Sequence, residues 1–184
     1  MKISIEFLKK NKICPENIEF MKENNLINSE YINAITKLVE IDNPDLANRL
    51  ITKILTHTDK IKYAIYIAEK TLHFFEERYP NDDRPRKAIE EAKTYISNPK
   101  KQTGPAIYAI EDEAYSAYLT AENSQNSVNA SYAALAAYVA IITVYSPYPD
   151  VYIRNIIYYI NDKEISKTIN YGIELIQKNQ LHAL

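Results

Sequence analysis

Glycine is nearly absent. Gly104 and Gly172 are the two in 184 residues, against an ordinary share of about 7%. Tight hairpin turns draw on glycine for positive φ, and phosphate-cradling loops need several glycines close together. An all-β fold, a P-loop and a dinucleotide fold are therefore all disfavoured. Cysteine is scarcer still, and Cys14 alone forms no intramolecular disulfide. No apolar run approaches the ~20 residues of a membrane span. The opening MKISIEFLKKNK has no apolar stretch or small-residue cleavage site of a secretory leader, so the expected compartment is the cytoplasm and no membrane role is expected. No clustered basic tract accompanies the net charge of −2, which argues against a nucleic-acid partner.

What is present is helical periodicity. Apolar residues make up 46% and charged residues 25% of the chain, ordinary values for a globular protein with a core of its own. Ile32, Ile35 and Val39 suggest one short face, and Leu46, Leu50 and Ile54 the next, the latter opened by Asn43-Pro44 as N-cap and first helical position. Thr58 is the expected cap of a third helix whose inward residues are Ile61, Ala64, Ala68, Leu72 and Phe75. Ala88, Ile89, Ala92, Tyr95 and Ile96 follow, stopped at Ser97-Asn98-Pro99.

The second half changes composition. Residues 105–160 hold five acids (Glu111, Asp112, Glu113, Glu122, Asp150) and one base (Arg154), a local charge of −4. Ile107, Ile110, Ala114, Ala117 and Ala121 repeat at 3,4 spacing, as do Val128, Tyr132, Leu135, Val139 and Ile142 beyond a break at 123–126. Ser146-Pro147-Tyr148-Pro149-Asp150 interrupts the chain. Ile153, Ile156, Ile157 and Ile160, then Ile165, Ile169, Ile173 and Ile176, close the pattern. The expectation is an all-α fold of nine or ten helices, a bundle or stacked hairpins. Residues 1–184 would form a single helical domain, with an N-terminal half 1–97, a loop 98–105 and an Ala/Tyr-rich half 106–184.

Two segments carry a resemblance. Ala64-Ile65-Tyr66-Ile67-Ala68-Glu69-Lys70 leads into Tyr79-Pro80-Asn81-Asp82-Asp83-Arg84-Pro85-Arg86-Lys87-Ala88-Ile89-Glu90, and an Ala/Tyr-rich tail follows. This YPxDDRPRxAIE pattern, with Cys14-Pro15-Glu16 near the start, resembles the immunity protein family of bacterial polymorphic toxin systems, also carried by phages. Its reach is roughly residues 14–175. Ile, Ser, Thr and extra Tyr interrupt the alanines of the tail, a departure from the family's longer Ala-Ala-Tyr repeats. The resemblance implies a non-enzymatic protein that binds a cognate toxin and neutralises it, or a phage-borne inhibitor of a host defence protein, in a toxin–antitoxin arrangement. It names no cofactor.

The residues themselves offer two sites. Asp83 is the expected cap of a helix whose first turn holds Arg84, Pro85 and Arg86. Cations there oppose the helix dipole, so either Asp82, Glu76, Glu77 and Glu90 pair with them or the guanidinium groups face a phosphate or a partner's carboxylate. The second site is a stripe of Tyr108, Glu111, Tyr115, Tyr118 and Glu122, one residue offset from the core face. Tyr138 and Tyr145 would extend it on a neighbouring helix, with Tyr148 and Tyr152 beyond. These tyrosines either pack between helices or form an acidic interface for a basic protein or for a second copy in a homodimer. His73, flanked by Glu69, Glu76 and Glu77, reads as part of a charged face, since a metal site needs further ligands. Cys14 lacks the paired base of a catalytic thiol. A small phosphate-bearing ligand held by Arg84 and Arg86 is the alternative function.

Overall fold

A computed structural model describes residues 2–98, 104–124, 127–157, 160 and 162–181, the side chains of 162 and 163 apart. Among them are ten helices and no strand: α1 (Ile5–Lys10), α2 (Pro15–Glu23), α3 (Tyr31–Glu40), α4 (Pro44–Ile54), α5 (His57–Arg78), α6 (Arg84–Ser97), α7 (Gly104–Glu122), α8 (Val128–Ile142), α9 (Pro149–Ile156) and α10 (Asp162–Leu181). The expected all-α architecture and helix number are both observed. Within the expected loop 98–105, residues 99–103 lie outside the described ones, and α7 begins at Gly104. Gln125, Asn126 and His182 also lie outside them.

Helix starts follow local chemistry. Asn43 accepts a hydrogen bond from the Leu46 N–H at 3.2 Å, with Pro44 in the first turn, as expected. At α5 the cap is Thr56, not Thr58: its hydroxyl accepts from the Asp59 N–H at 3.2 Å and donates to the Asp59 carboxylate at 2.5 Å. Leu55 ends α4 in extended backbone, which leaves Thr56 as the first residue with a free route into the next helix.

The long helix α5 and the alanine-rich α8 make the most extensive helix–helix contact. Around them α6 and α7 close one side, while α4, α9 and α10 close the other. Helices from both halves thus share one core, running from Ile3 to Ile176. Ile61, Ala64, Ala68, Leu72 and Phe75 are buried as expected. Two faces differ from expectation. In α3 the buried residues are Tyr31, Ala34, Ile35 and Leu38, with Ile32 and Val39 at the edge. In α8 the expected Val128, Tyr132 and Leu135 lie on the more exposed side, whereas Ala130, Ala133, Ala134, Ala137 and Ala140 are buried. Alanine carries little hydrophobicity, so a face of small residues reads weakly in a pattern. Yet it lets neighbouring helices approach closely on several sides, and that makes α8 central.

Gly172 solves a similar problem. A Cβ there would lie 2.8 Å from Ile51 Cγ2 and 3.1 Å from Tyr63 Cε2, so the missing side chain is what lets α10 lie against α4 and α5.

Candidate functional site: an acid-rimmed tyrosine face

Helix α7 carries two stripes, because 3,4 spacing keeps residues on one face and a one-residue offset turns that face by about 100°. Ile107, Ala114, Ala117 and Ala121 are buried, and Ile110 partly so. The neighbouring stripe holds Tyr108, Glu111, Tyr115, Tyr118 and Glu122. Tyr108 is 51% and Tyr115 44% exposed, so neither is consumed by the core.

Helix α8 runs beside this stripe and completes it. The Tyr108 and Tyr145 rings meet edge-on at 5.1 Å. Tyr115 lies 5.3 Å from Tyr138 and 5.9 Å from Tyr118. Tyr145 donates its hydroxyl to Glu111, and Tyr118 donates to Glu122. The rings hold one another in place, so little side-chain freedom remains to be lost on binding. The two helices carry no base and four acids, Glu111, Asp112, Glu113 and Glu122. Burial raises the Glu111 carboxyl above its ordinary pKa; the Tyr138 hydroxyl opposes that shift and the charge of Asp112 adds to it. Tyr138 in turn is pushed up to about 12, first by burial and then by Glu111.

The Arg84-Pro85-Arg86 block lies elsewhere. Asp83 makes no capping bond; it pairs with Lys87 at 2.9 Å. Asp82 takes over, accepting from the Arg84 N–H at 3.2 Å and holding the Arg84 guanidinium at 2.6 and 2.9 Å. That guanidinium keeps the Asp82 carboxyl below the usual carboxylate range. Arg84 also donates to Ser116 at 3.0 Å, on the flank of α7 away from the tyrosine stripe. Arg86 turns to Glu76 on α5, at 2.5–2.6 Å. The two arginines therefore engage different elements, and neither joins the tyrosine face.

A model of the Imm-5 like putative immunity protein family matches residues 50–145. The chain belongs to this family. No characterised protein and no solved structure matches it. The family match takes in α5, the Arg84-Pro85-Arg86 block and the whole α7–α8 hairpin through Tyr145. It is narrower than the expected reach of 14–175 and leaves Cys14 outside. Membership implies a toxin-neutralising role and a protein partner in general terms.

The remaining candidates have local roles. Cys14 is a half-buried free thiol at the N-terminus of α2. His73 stacks near Phe74 at 3.9 Å, and among the described residues no three His, Cys, Asp or Glu side chains could hold a metal. Among these residues no helix is long and apolar enough to cross a membrane. Tyr138 and Tyr145, expected to extend the stripe, do meet Tyr115 and Tyr108. The signal of this pairing is the seven-residue step shared by Tyr108–Tyr115 on α7 and Tyr138–Tyr145, which runs from α8 into the turn just past its end.

Proposed function

We propose that this protein is a non-enzymatic immunity protein that blocks its toxin stoichiometrically, using the tyrosine face of α7 and α8. The observation that carries the reading is a set of ring-locked, partly exposed tyrosines that engage the carboxylates Glu111 and Glu122, on two helices that carry no base. Tyrosine is a favoured anchor at protein interfaces. The acids Glu111 and Glu122 of this face would steer a basic partner such as a nuclease toxin and set a salt-dependent association rate. The same complementarity suits a phage-borne inhibitor of a basic defence protein. Arg84 and Arg86 then act as clamps, Arg84 fixing the α5–α6 turn to α7 and Arg86 tying α6 to α5.

The small-ligand alternative draws less support. The groove that contains Arg86, about 250 Å³, is lined by Glu69, Glu76 and Glu90 as well as Lys93 and His73. Three carboxylates there would repel a phosphate.

Growth protection tests the reading. Toxin domains of polymorphic systems are expressed with this chain, and those whose growth arrest it relieves are kept. Tyr115→Ala combined with Glu122→Lys should abolish protection while leaving the thermal melt unchanged. Protection that survives this pair, but is lost on Arg84→Gln with folding intact, would move the site to the arginine block.

A further inference from the structure

The charge balance of the molecule is locally reversed at one cleft. It lies where the end of α1 meets α4 and α9, encloses about 150 Å³, and is lined by Lys12, Arg49, Lys53, Arg154 and Asp150 among others. Four cations therefore line it against the carboxylates of Asp150 and, beside Arg49, Asp45, an excess of two positive charges in a chain whose net charge is −2. Lys53 is paired with Asp150, and Lys60 approaches the same carboxylate at 3.9 Å. Arg49 leans on Asp45 through Nε at 3.0 Å. Lys12 and Arg154 make no ion pair among the described residues. Lys60 registers the crowding: burial lowers its pKa, with repulsion from Lys53 adding to that effect and the attraction of Asp150 opposing it.

The backbone places Lys12 there at some expense. Its φ is 56°, a left-handed conformation that lysine adopts reluctantly. Fold stability alone would be served better by glycine at that position.

The geometry points to a phosphate-monoester site in this cleft, with Lys12, Arg49 and Arg154 holding the phosphoryl oxygens. Arginine forks match phosphate oxygens in pairs, and a lysine adds a point charge. Once Lys53 neutralises Asp150, the excess positive charge fits a dianion better than a carboxylate. The volume holds about five waters at roughly 30 Å³ each. That is room for a phosphoryl group and its attachment, not for a whole cofactor in a pocket of ~300 Å³ or more. Most of these residues lie outside the family match of 50–145, so the site is separate from the toxin-binding face and fails or stands independently of it.

The test is calorimetric titration of the intact chain, at fixed ionic strength, with ribose 5-phosphate, inorganic phosphate and acetate. Saturable binding of either phosphate probe, without acetate binding, is expected. Arg154→Gln and Lys12→Gln should each weaken it tenfold or more without lowering the melting temperature, and Arg84→Gln should leave it unchanged. Tighter binding of the ester than of free phosphate identifies an ester as the natural ligand class, and the reverse order identifies phosphate itself. The site is refuted if neither probe saturates, if acetate binds equally well, or if binding survives both cleft substitutions.

Discussion

Lys12, Asn25 and Asp42 all adopt positive φ, at 56°, 56° and 58°. Each sits just past a helix end, where its own N–H and that of the following residue donate to carbonyls of the last turns: Lys12 to Lys9 and Ile13 to Leu8, Asn25 to Lys22 and Leu26 to Met21, Asp42 to Val39 and Asn43 to Leu38. This is the helix stop that glycine ordinarily makes. Scarce glycine was thus a sound sign of helices. It gave no hint which residues would end them, because asparagine and aspartate are common in any turn. Lysine tolerates the left-handed region least of the three, so Lys12→Gly should stabilise the fold by about 1 kcal/mol, read by urea denaturation. The same variant should lose phosphate affinity, and stability gained at the expense of binding is what a functional lysine would show.

Glu111 poses a comparable trade. Its pKa is raised in the folded state by burial, so the native protein holds a proton more tightly than the unfolded chain. The sign follows: stability falls as pH rises from the ordinary carboxylate range through the raised value, and the ionised form is mildly unfavourable at neutral pH. Glu111→Gln should therefore raise the melting temperature slightly at pH 7, have no effect near pH 3, and weaken toxin binding. A melt that is lower at pH 7 would show that the carboxylate stabilises the cluster instead.

At the scale of elements, α10 is held by contacts that its sequence does not announce. Asp59 is 5% exposed. It bonds to Thr56, to Lys62 at 2.9 Å and to Asn179 of α10 at 2.7 Å. These bonds hold its carboxyl below the usual range despite burial, which acts the other way. Stability from this group is present above the ordinary carboxylate pKa and is lost as acid protonates it. Asp59→Ala should cost about 2 kcal/mol at pH 7, and the deficit should shrink below pH 3. Gly172→Ala forces Ile51 and Tyr63 to move and should cost about 1–3 kcal/mol, measured by the same denaturation. The isoleucine period of α10 was legible in advance. Gly172 read as unremarkable, because its value lies in what it stands against.

Taken whole, the molecule divides into what periodicity reveals and what packing adds. Long α5 was legible because Ile61, Ala64, Ala68, Leu72 and Phe75 keep helical spacing, although Tyr63, Ile65 and Ile67 are buried beside them. The role of α8 was obscured because a helix buried on most sides has no strong amphipathic contrast. The tyrosine stripe of α7 and its extension by Tyr138 and Tyr145 were legible from spacing, whereas which ring meets which depends on the antiparallel pairing of the two segments. The basic cleft was invisible, since Lys12, Arg49 and Arg154 come from distant segments. With α5 and α8 joining both halves, we expect one domain and hence one cooperative unfolding transition, in which circular dichroism and tyrosine fluorescence coincide. Two separated transitions would mean that the halves fold independently.

The central claim, that the α7–α8 face occludes a basic toxin, is tested most directly by the affinity of a protected toxin for wild type and Tyr115→Ala at low and high salt. The substitution should weaken binding about tenfold or more, and for wild type the association rate should fall steeply with salt while the dissociation rate changes little. Unchanged affinity in the variant, together with a salt-independent association rate, would contradict the claim.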